Sequence, residues 1–432
     1  MADIAAATIA AGYRILGVCL RPAVPFILSG RVARGKEDPQ RLAERYGRAS
    51  LPRPPGRLVW VHAASVGETN AILPLINRLT GIGLAVVFTT TTLTSAEIAA
   101  KKLPRGAVHQ FAPLDLAPYV AGFLAHWRPN LAIFVESEMW PTMVRKLAEA
   151  EVPLIVVNAR LSERSYRGWQ RFAGFAGTVF PKIALCLAQS DGDAARFAGL
   201  GAGNVRSVGN LKFDVPPLVA DGGAVTRLTA AIDGRPSWVA ASTHEGEEEI
   251  VAEAHRLVRQ RHPQVLTIIV PRHPERGDAV RATLAARGLT VAQRSRGNPL
   301  LHEIDVYLAD TLGELGLFYR LAPIAFLGGS LIPHGGQNPI EPTRLAAAVL
   351  HGPHVHNFAD IYAVLDAAVP AAPIADAASL ADAVAALIDD PASVVRRAAA
   401  AREALARFSG ALDATMTAIL PYLAGKPEAE VP

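Results

Sequence analysis

Leu58-Val-Trp-Val-His-Ala-Ala-Ser-Val-Gly-Glu-Thr-Asn70 reads as a strand that runs into a turn of small residues and then into a helix. The apolar run does not alternate with polar residues, as expected of a strand covered by helices on both faces. The small residues and Gly67 let the turn backbone approach a ligand. A helix starting at about Asn70 would aim unpaired N–H groups at an anion there. The same grammar repeats outward. Strands are expected at Leu58–His62, Ala85–Thr89, Leu131–Val135, Leu154–Val157 and Ala184–Ala188, with helices such as Ala71–Leu79, Ser95–Lys102 and Pro141–Glu149 between them. Alternation of this kind builds a parallel, doubly wound sheet.

Asp214-Val-Pro-Pro-Leu and Ala220-Asp-Gly-Gly-Ala interrupt the pattern and read as an interdomain linker, residues 214–224. Apolar runs then resume at Trp238–Ala241, Leu266–Val270, Thr290–Ala292, Val306–Leu308, Ile324–Leu327 and Ala348–Leu350. A chain of 432 residues also exceeds one ordinary core. The expected fold is therefore α/β: two Rossmann-like doubly wound domains, 31–213 and 225–425, facing across a cleft. Ligands in such sheets sit at the carboxyl ends of strands.

Half the residues are hydrophobic and the net charge is only +4. Its distribution says more. Arg31, Arg34, Lys36, Arg41, Arg45, Arg48, Arg53 and Arg57 crowd one segment directly after the largely apolar residues 4–28. That order reads as an N-terminal membrane-associated helix, 1–30, followed by attraction to anionic lipid headgroups on the cytoplasmic side. Arg14 and Arg21 interrupt the apolar stretch and favour a shallow or interfacial anchor over a clean span. No nucleic-acid motif accompanies the basic residues. Cys19 and Cys186 lack pairing or metal-ligand spacing, which points to a reducing compartment.

Chemistry gathers where the apolar runs end. Glu68 stands at the first such mouth, either as a carboxylate base facing a cleft or as a favourable charge at a positive helix end. Glu136 and Glu138 follow the run at Leu131–Val135; they point the same way if the strand continues and diverge if it stops. Lys212 borders the linker as a partner for an anion. Ser242 and Thr243 suit capping of the acidic helix start at Glu245–Glu249. Pro271-Arg-His-Pro274 holds Arg272 and His273 directly after a buried strand, and the arginine fork matches phosphate or carboxylate. Leu312, Gly313 and Glu314 offer a turn for a nucleotide. In Gly335-Gly-Gln-Asn-Pro-Ile-Glu341, Asn338 and Glu341 share a face beside Pro339 and Ile340. Glu341 suits ribose hydroxyls there, and the paired glycines of Phe326–Pro342 suit phosphate. No Gly-x-Gly-x-x-Gly fingerprint, Walker loop, His-Glu-x-x-His or Gly-x-Ser-x-Gly motif occurs.

Taken in order, His62-Ala-Ala-Ser-Val-Gly-Glu68, Glu136-Ser-Glu138, Gly209-Asn-Leu-Lys-Phe-Asp214, Ala241-Ser-Thr-His-Glu-Gly-Glu-Glu248, Pro271-Arg-His-Pro-Glu-Arg276 and Gly335-Gly-Gln-Asn-Pro-Ile-Glu341 resemble the 3-deoxy-D-manno-octulosonic acid (Kdo) transferase family. Arg41–Gly47 resembles that family's basic juxtamembrane segment. The resemblance implies a GT-B-type inverting glycosyltransferase with CMP-Kdo as donor, lipid A precursor (lipid IVA) as acceptor, no cofactor and no metal at the chemical step. It implies work at the cytoplasmic face of the inner membrane, in lipopolysaccharide synthesis. It assigns Glu68 as general base and Glu138 and Lys212 as transition-state stabilisers. It assigns CMP contacts to Pro271, Arg272, Leu312, Gly313, Glu314, Asn338, Pro339, Ile340 and Glu341. Two other readings stand beside it: a two-domain transferase using a UDP-sugar in envelope synthesis, and a non-catalytic nucleotide- or glycan-binding protein at the membrane.

Overall fold

The computed structural model describes Gly12, Tyr13, Gly17, Cys19, residues 21–370 and residues 373–423. Most of the expected helix over residues 1–30, Arg14 included, lies outside the described residues. The chain divides into two compact units, Met1–Val215 with Phe408–Pro432, and Pro216–Arg407.

Among the described residues, the first unit holds a seven-stranded sheet. Its strands are β1 (Leu58–His62), β2 (Ala85–Thr90), β3 (Ala107–Phe111), β4 (Leu131–Val135), β5 (Leu154–Ala159), β6 (Ile183–Ala188) and β7 (Val205–Ser207). They pair in the order β3-β2-β1-β4-β5-β6-β7, and every pair is parallel. Successive residues of β1 enter different cores: Leu58 and Trp60 join one cluster, Val59 and Val61 the other. Both faces are thus apolar, which is why the strand reads as one unbroken hydrophobic run. The sequence pattern misses β3, whose Ala-Val-His-Gln-Phe is only partly buried, and the three-residue β7.

The last described helix, Ala411–Leu423, corrects the expected boundary at residue 425. Its Ala411, Leu412, Met416 and Ile419 bury in the core beneath β1 and β4. Asp214 fixes the helix start, accepting from Gly410 N at 2.8 Å and Leu412 N at 2.7 Å, and Phe213 stacks on Phe408 at 5.2 Å. A linear pattern shows an amphipathic helix but not which sheet it returns to.

The basic segment is also used differently from its sequence reading. Arg31 and Arg45 both pair with buried Glu37, and Arg41 grips buried Glu44. Arg53 donates to the carbonyls of Trp127, Pro54 and Gly56. Glu44 in turn accepts from Phe111 N at 2.6 Å and tethers the segment to β3. Gly47 has φ +73° and lies against the Tyr119 carbonyl, so any Cβ would collide. Of the eight cations, Arg34, Lys36, Arg48 and Arg57 stay exposed without an ion pair among the described residues. Helix Val24–Ala33 buries Val24 and Leu28 against Tyr119 but leaves Phe26 80% exposed. No helix among the described residues is long and apolar enough to cross a membrane.

The second unit holds β8 (Ser237–Thr243), β9 (Leu266–Pro271), β10 (Val291–Gln293), β11 (Val306–Leu308), β12 (Ile324–Leu327) and β13 (Ala348–His351). Its order is β10-β11-β9-β8-β12-β13, again all parallel. In each unit the first strand lies between strands that follow it on either side. The strand order therefore reverses between β1 and β4, and between β8 and β12. Those reversal points are where such sheets open a crevice at their carboxyl ends.

Candidate active site

In the first unit, β1 and β4 deliver their chain ends to the reversal point, with His62 in register opposite Phe134. The helix after β1 begins at Val66, earlier than the expected Asn70, because Ser65 caps it and accepts from Glu68 N. Glu68 therefore sits inside the first turn. Its carboxylate folds back to accept from Ser65 Oγ at 2.7 Å and from Ala64 N at 2.8 Å. It is only 8% exposed. Burial raises its proton affinity, the Ala64 and Ser65 hydrogen bonds oppose, and the charges of Glu136 and Glu138 raise it further; the net shift is upward. Each carboxylate oxygen keeps a second lone pair, so the cap fixes the carboxylate and leaves it able to accept a further proton donor.

Glu136 and Glu138 diverge. β4 stops at Val135, and Glu136 takes φ +56°, a left-handed conformation costly for a side chain of this size. The turn sends Glu136 to Lys212, whose Nζ lies 2.9 Å away. Glu138 instead accepts from Trp140 Nε1 at 2.8 Å and faces His62 Nε2 at 3.5 Å. Burial alone would raise the Glu138 carboxyl, but His62 and Trp140 outweigh it and hold it below the usual carboxylate range. Lys212 is aimed by its backbone. Asn158, at φ +51° next to the end of β5, accepts from Leu211 N at 2.9 Å. Asn210 accepts from Lys212 N at 3.0 Å and donates to Gln189.

Sequence reasoning assigned no role to His62, Thr89, Asn158 or Gln189. The imidazole Nδ1 of His62 lies 2.9 Å from Thr89 Oγ1, which also accepts from Trp60 Nε1. A common signal was available: each is a polar residue closing an otherwise apolar strand, where the sheet opens toward ligand.

The second unit carries the nucleotide-side candidates. Pro271 ends β9 in the core and Arg272 N donates to Thr243 O at 2.9 Å. The Arg272 guanidinium is exposed and has no hydrogen bond or ion pair among the described residues. Leu312 is 79% exposed on the turn closed by Gly313, φ +83°. Arg294 grips Glu314 through both oxygens, at 2.6 and 2.5 Å, and holds it below the usual carboxylate range. Asn338 accepts from Ile340 N at 3.1 Å and Pro339 caps helix Ile340–Arg344. Ile340 is buried, so only its backbone can reach a ligand. Glu341 lies in the same short helix, half-buried.

The glycine loop departs from its expected use. Glu247, fully buried, accepts from the N–H groups of Gly329 at 2.6 Å, Ser330 at 3.1 Å and Leu331 at 3.0 Å. Gly335 N and Gly336 N both donate to Gly329 O. The backbone donors that suit phosphate are occupied by the protein itself. Sequence spacing showed a run of glutamates beside this loop but not that one inserts into it.

The sequence has relatives on both counts, motif and fold. The family model described as 3-Deoxy-D-manno-octulosonic-acid transferase (kdotransferase) matches residues 40–215. The 3-deoxy-D-manno-octulosonic acid transferase of Haemophilus influenzae is 36% identical over 403 residues, covering 89% of this chain and 92% of that one. The chain belongs to the Kdo transferase family. The enzyme of the same name from Bordetella pertussis is 37% identical and covers 88% of this chain and 91% of its own. Among solved structures, UDP-GlcNAc 2-epimerase from Neisseria meningitidis shares the fold, with a TM-score of 0.57 at 13% identity over 85% of this chain and all of that one. Membership makes this chain a glycosyltransferase with two Rossmann-like units, as its motifs imply.

Proposed function

We propose that this Kdo transferase moves Kdo from CMP-Kdo to lipid IVA with inversion, Glu68 acting as general base. The observation that carries the proposal is Glu68 itself: a carboxylate with raised proton affinity, fixed at the reversal point beside Glu138 and Lys212. Glu68 takes the proton of an acceptor hydroxyl, and that oxygen attacks the anomeric carbon of the donor. The bond to the phosphate oxygen breaks and CMP leaves with its electron pair. Charge grows on the departing phosphate and needs fixed cations. Lys212 supplies one when it loosens from Glu136, and Glu138, held ionised by His62 and Trp140, supports positive charge developing at the sugar. Arg272, exposed and without an ion pair among the described residues, is the donor-side fork for phosphate. The Leu312–Glu314 turn and the Asn338–Glu341 segment flank the nucleoside, with Glu341 toward ribose.

Acceptor delivery places the protein at the cytoplasmic face of the inner membrane. Support for that position is the exposed pair Phe26 and Ile27, with Arg34, Lys36, Arg48 and Arg57 free to meet anionic lipid. The donor half is tested by calorimetric titration of the full chain. CMP binds at least about tenfold tighter than UDP, and Arg272→Ala weakens CMP about tenfold without loss of fold. Tighter binding of UDP would return the UDP-sugar alternative, and unchanged CMP affinity would remove Arg272 from the site.

A further inference from the structure

The carboxyl ends of β8 and β12 meet closely in the second unit. Gly328 lies against the backbone of Ser242 and Thr243, where no Cβ would fit. His244 follows β8 and His334 follows β12, and their rings lie 3.9 Å apart, centroid to centroid, tilted by 35°. His273, after β9, is 6.1 Å from His244. The N–H groups of Gly329, Ser330, Leu331, Gly335 and Gly336 are taken by Glu247 and by Gly329 O, which leaves the imidazoles well placed to meet an anion arriving at this reversal point.

We propose that His244 and His334 form part of the donor-phosphate site, and that an anion bound beside their paired rings draws a proton onto His244. The proposal rests on the CMP-donor reading above and adds two residues to it. The groups facing His244 set its state. From the β9 side come Arg272, His273 and Arg276, the last turned toward Glu248 at 2.9 Å. Glu245 and Glu249 act on Arg276 as well. From the β12 side comes His334, with His356 behind Gly335. Glu247 accepts from His244 N at 3.1 Å, but its charge is already met by the loop.

Burial, then the charges of His334, His273, Arg272 and Arg276, push His244 down to about 4. Gln337 Nε2 lies 3.1 Å from His244 Nε2, and with the amide donating that nitrogen carries a lone pair. A phosphate reverses the balance, because a nearby anion favours the charged imidazole. Gln337 can then turn its amide and accept. Anion binding that favours protonation must tighten as pH falls.

The probe is cytidine 5′-(methyl phosphate), a diester whose single negative charge does not titrate near neutrality, so only the protein can contribute protons. Calorimetric titration of the full chain between about pH 8 and about pH 6.5 should show the dissociation constant falling about threefold or more. The binding heat should vary with buffer ionisation enthalpy in the sense of proton uptake. His334→Gln and His244→Gln should each flatten the dependence and reduce the uptake. His334 is exposed, so its variant keeps the test open if His244→Gln misfolds. A flat wild type, an undiminished slope in both folded variants, or a slope abolished only by His273→Gln would overturn the assignment. Absence of binding of both CMP and the diester by folded wild type would overturn the donor reading and this proposal together.

Discussion

Replacing Glu68 by Gln reduces Kdo transfer by about 10²- to 10⁴-fold, the range a general base supplies. Glutamine keeps an acceptor for Ala64 N and a partner for Ser65, so the helix start survives and only the proton-accepting carboxylate is lost. The substitution thereby separates the two readings of this residue. A glutamate that only caps its helix would leave near-normal turnover in the Gln variant. The pH dependence follows from burial. A general base at Glu68 has to be ionised, and the proton affinity of this carboxylate is raised. The kcat/KM profile should therefore fall on the acid side, with the falling limb at a higher pH than an exposed glutamate would give. Steady-state rates of the wild type across pH, and of the Gln variant near neutrality, check both statements.

Glu247→Ala destabilises the second unit by about 3–5 kcal/mol, because several backbone donors lose their acceptor at about 1–3 kcal/mol for each one left buried. The deletion leaves the N–H groups of His244, Gly329, Ser330 and Leu331 buried without their acceptor. Glu247→Gln retains one carbonyl oxygen and should lose less. Denaturant unfolding measures both, and a loss below about 1 kcal/mol for the Ala variant would show that water readily replaces the carboxylate. The position also matters for binding, since opening this loop would free backbone donors that the native protein keeps closed.

Much of this architecture is written locally. Strands β1, β4, β6, β8, β9 and β12 are near-continuous apolar runs because helices cover both faces, and such runs need no knowledge of their neighbours to be seen. The strand-end motifs are legible for the same reason: polar residues interrupt the pattern where the sheet opens. What a linear reading misses is choice of partner. Helix Ala411–Leu423 is plainly amphipathic, but nothing in its pattern says that it returns to β1 and β4 under the grip of Asp214. The arginines after residue 31 read as a lipid-facing patch until Glu37 and Glu44, within the same stretch, bury and claim three of them. Glu136 and Glu138 have ambiguous directions until the left-handed turn at Glu136 resolves them, giving Lys212 to the first and His62 to the second. Glu247 reads as one more acid at a helix start, and only the folded loop shows it filling the glycine nest.

The most direct test of the central claim is mass spectrometry of the lipid product after the purified full chain is incubated with CMP-Kdo and lipid IVA. The account predicts lipid IVA heavier by whole Kdo residues, with CMP released in equal amount. A folded chain that binds CMP yet leaves lipid IVA unmodified, or that adds a sugar from a UDP donor instead, would contradict it.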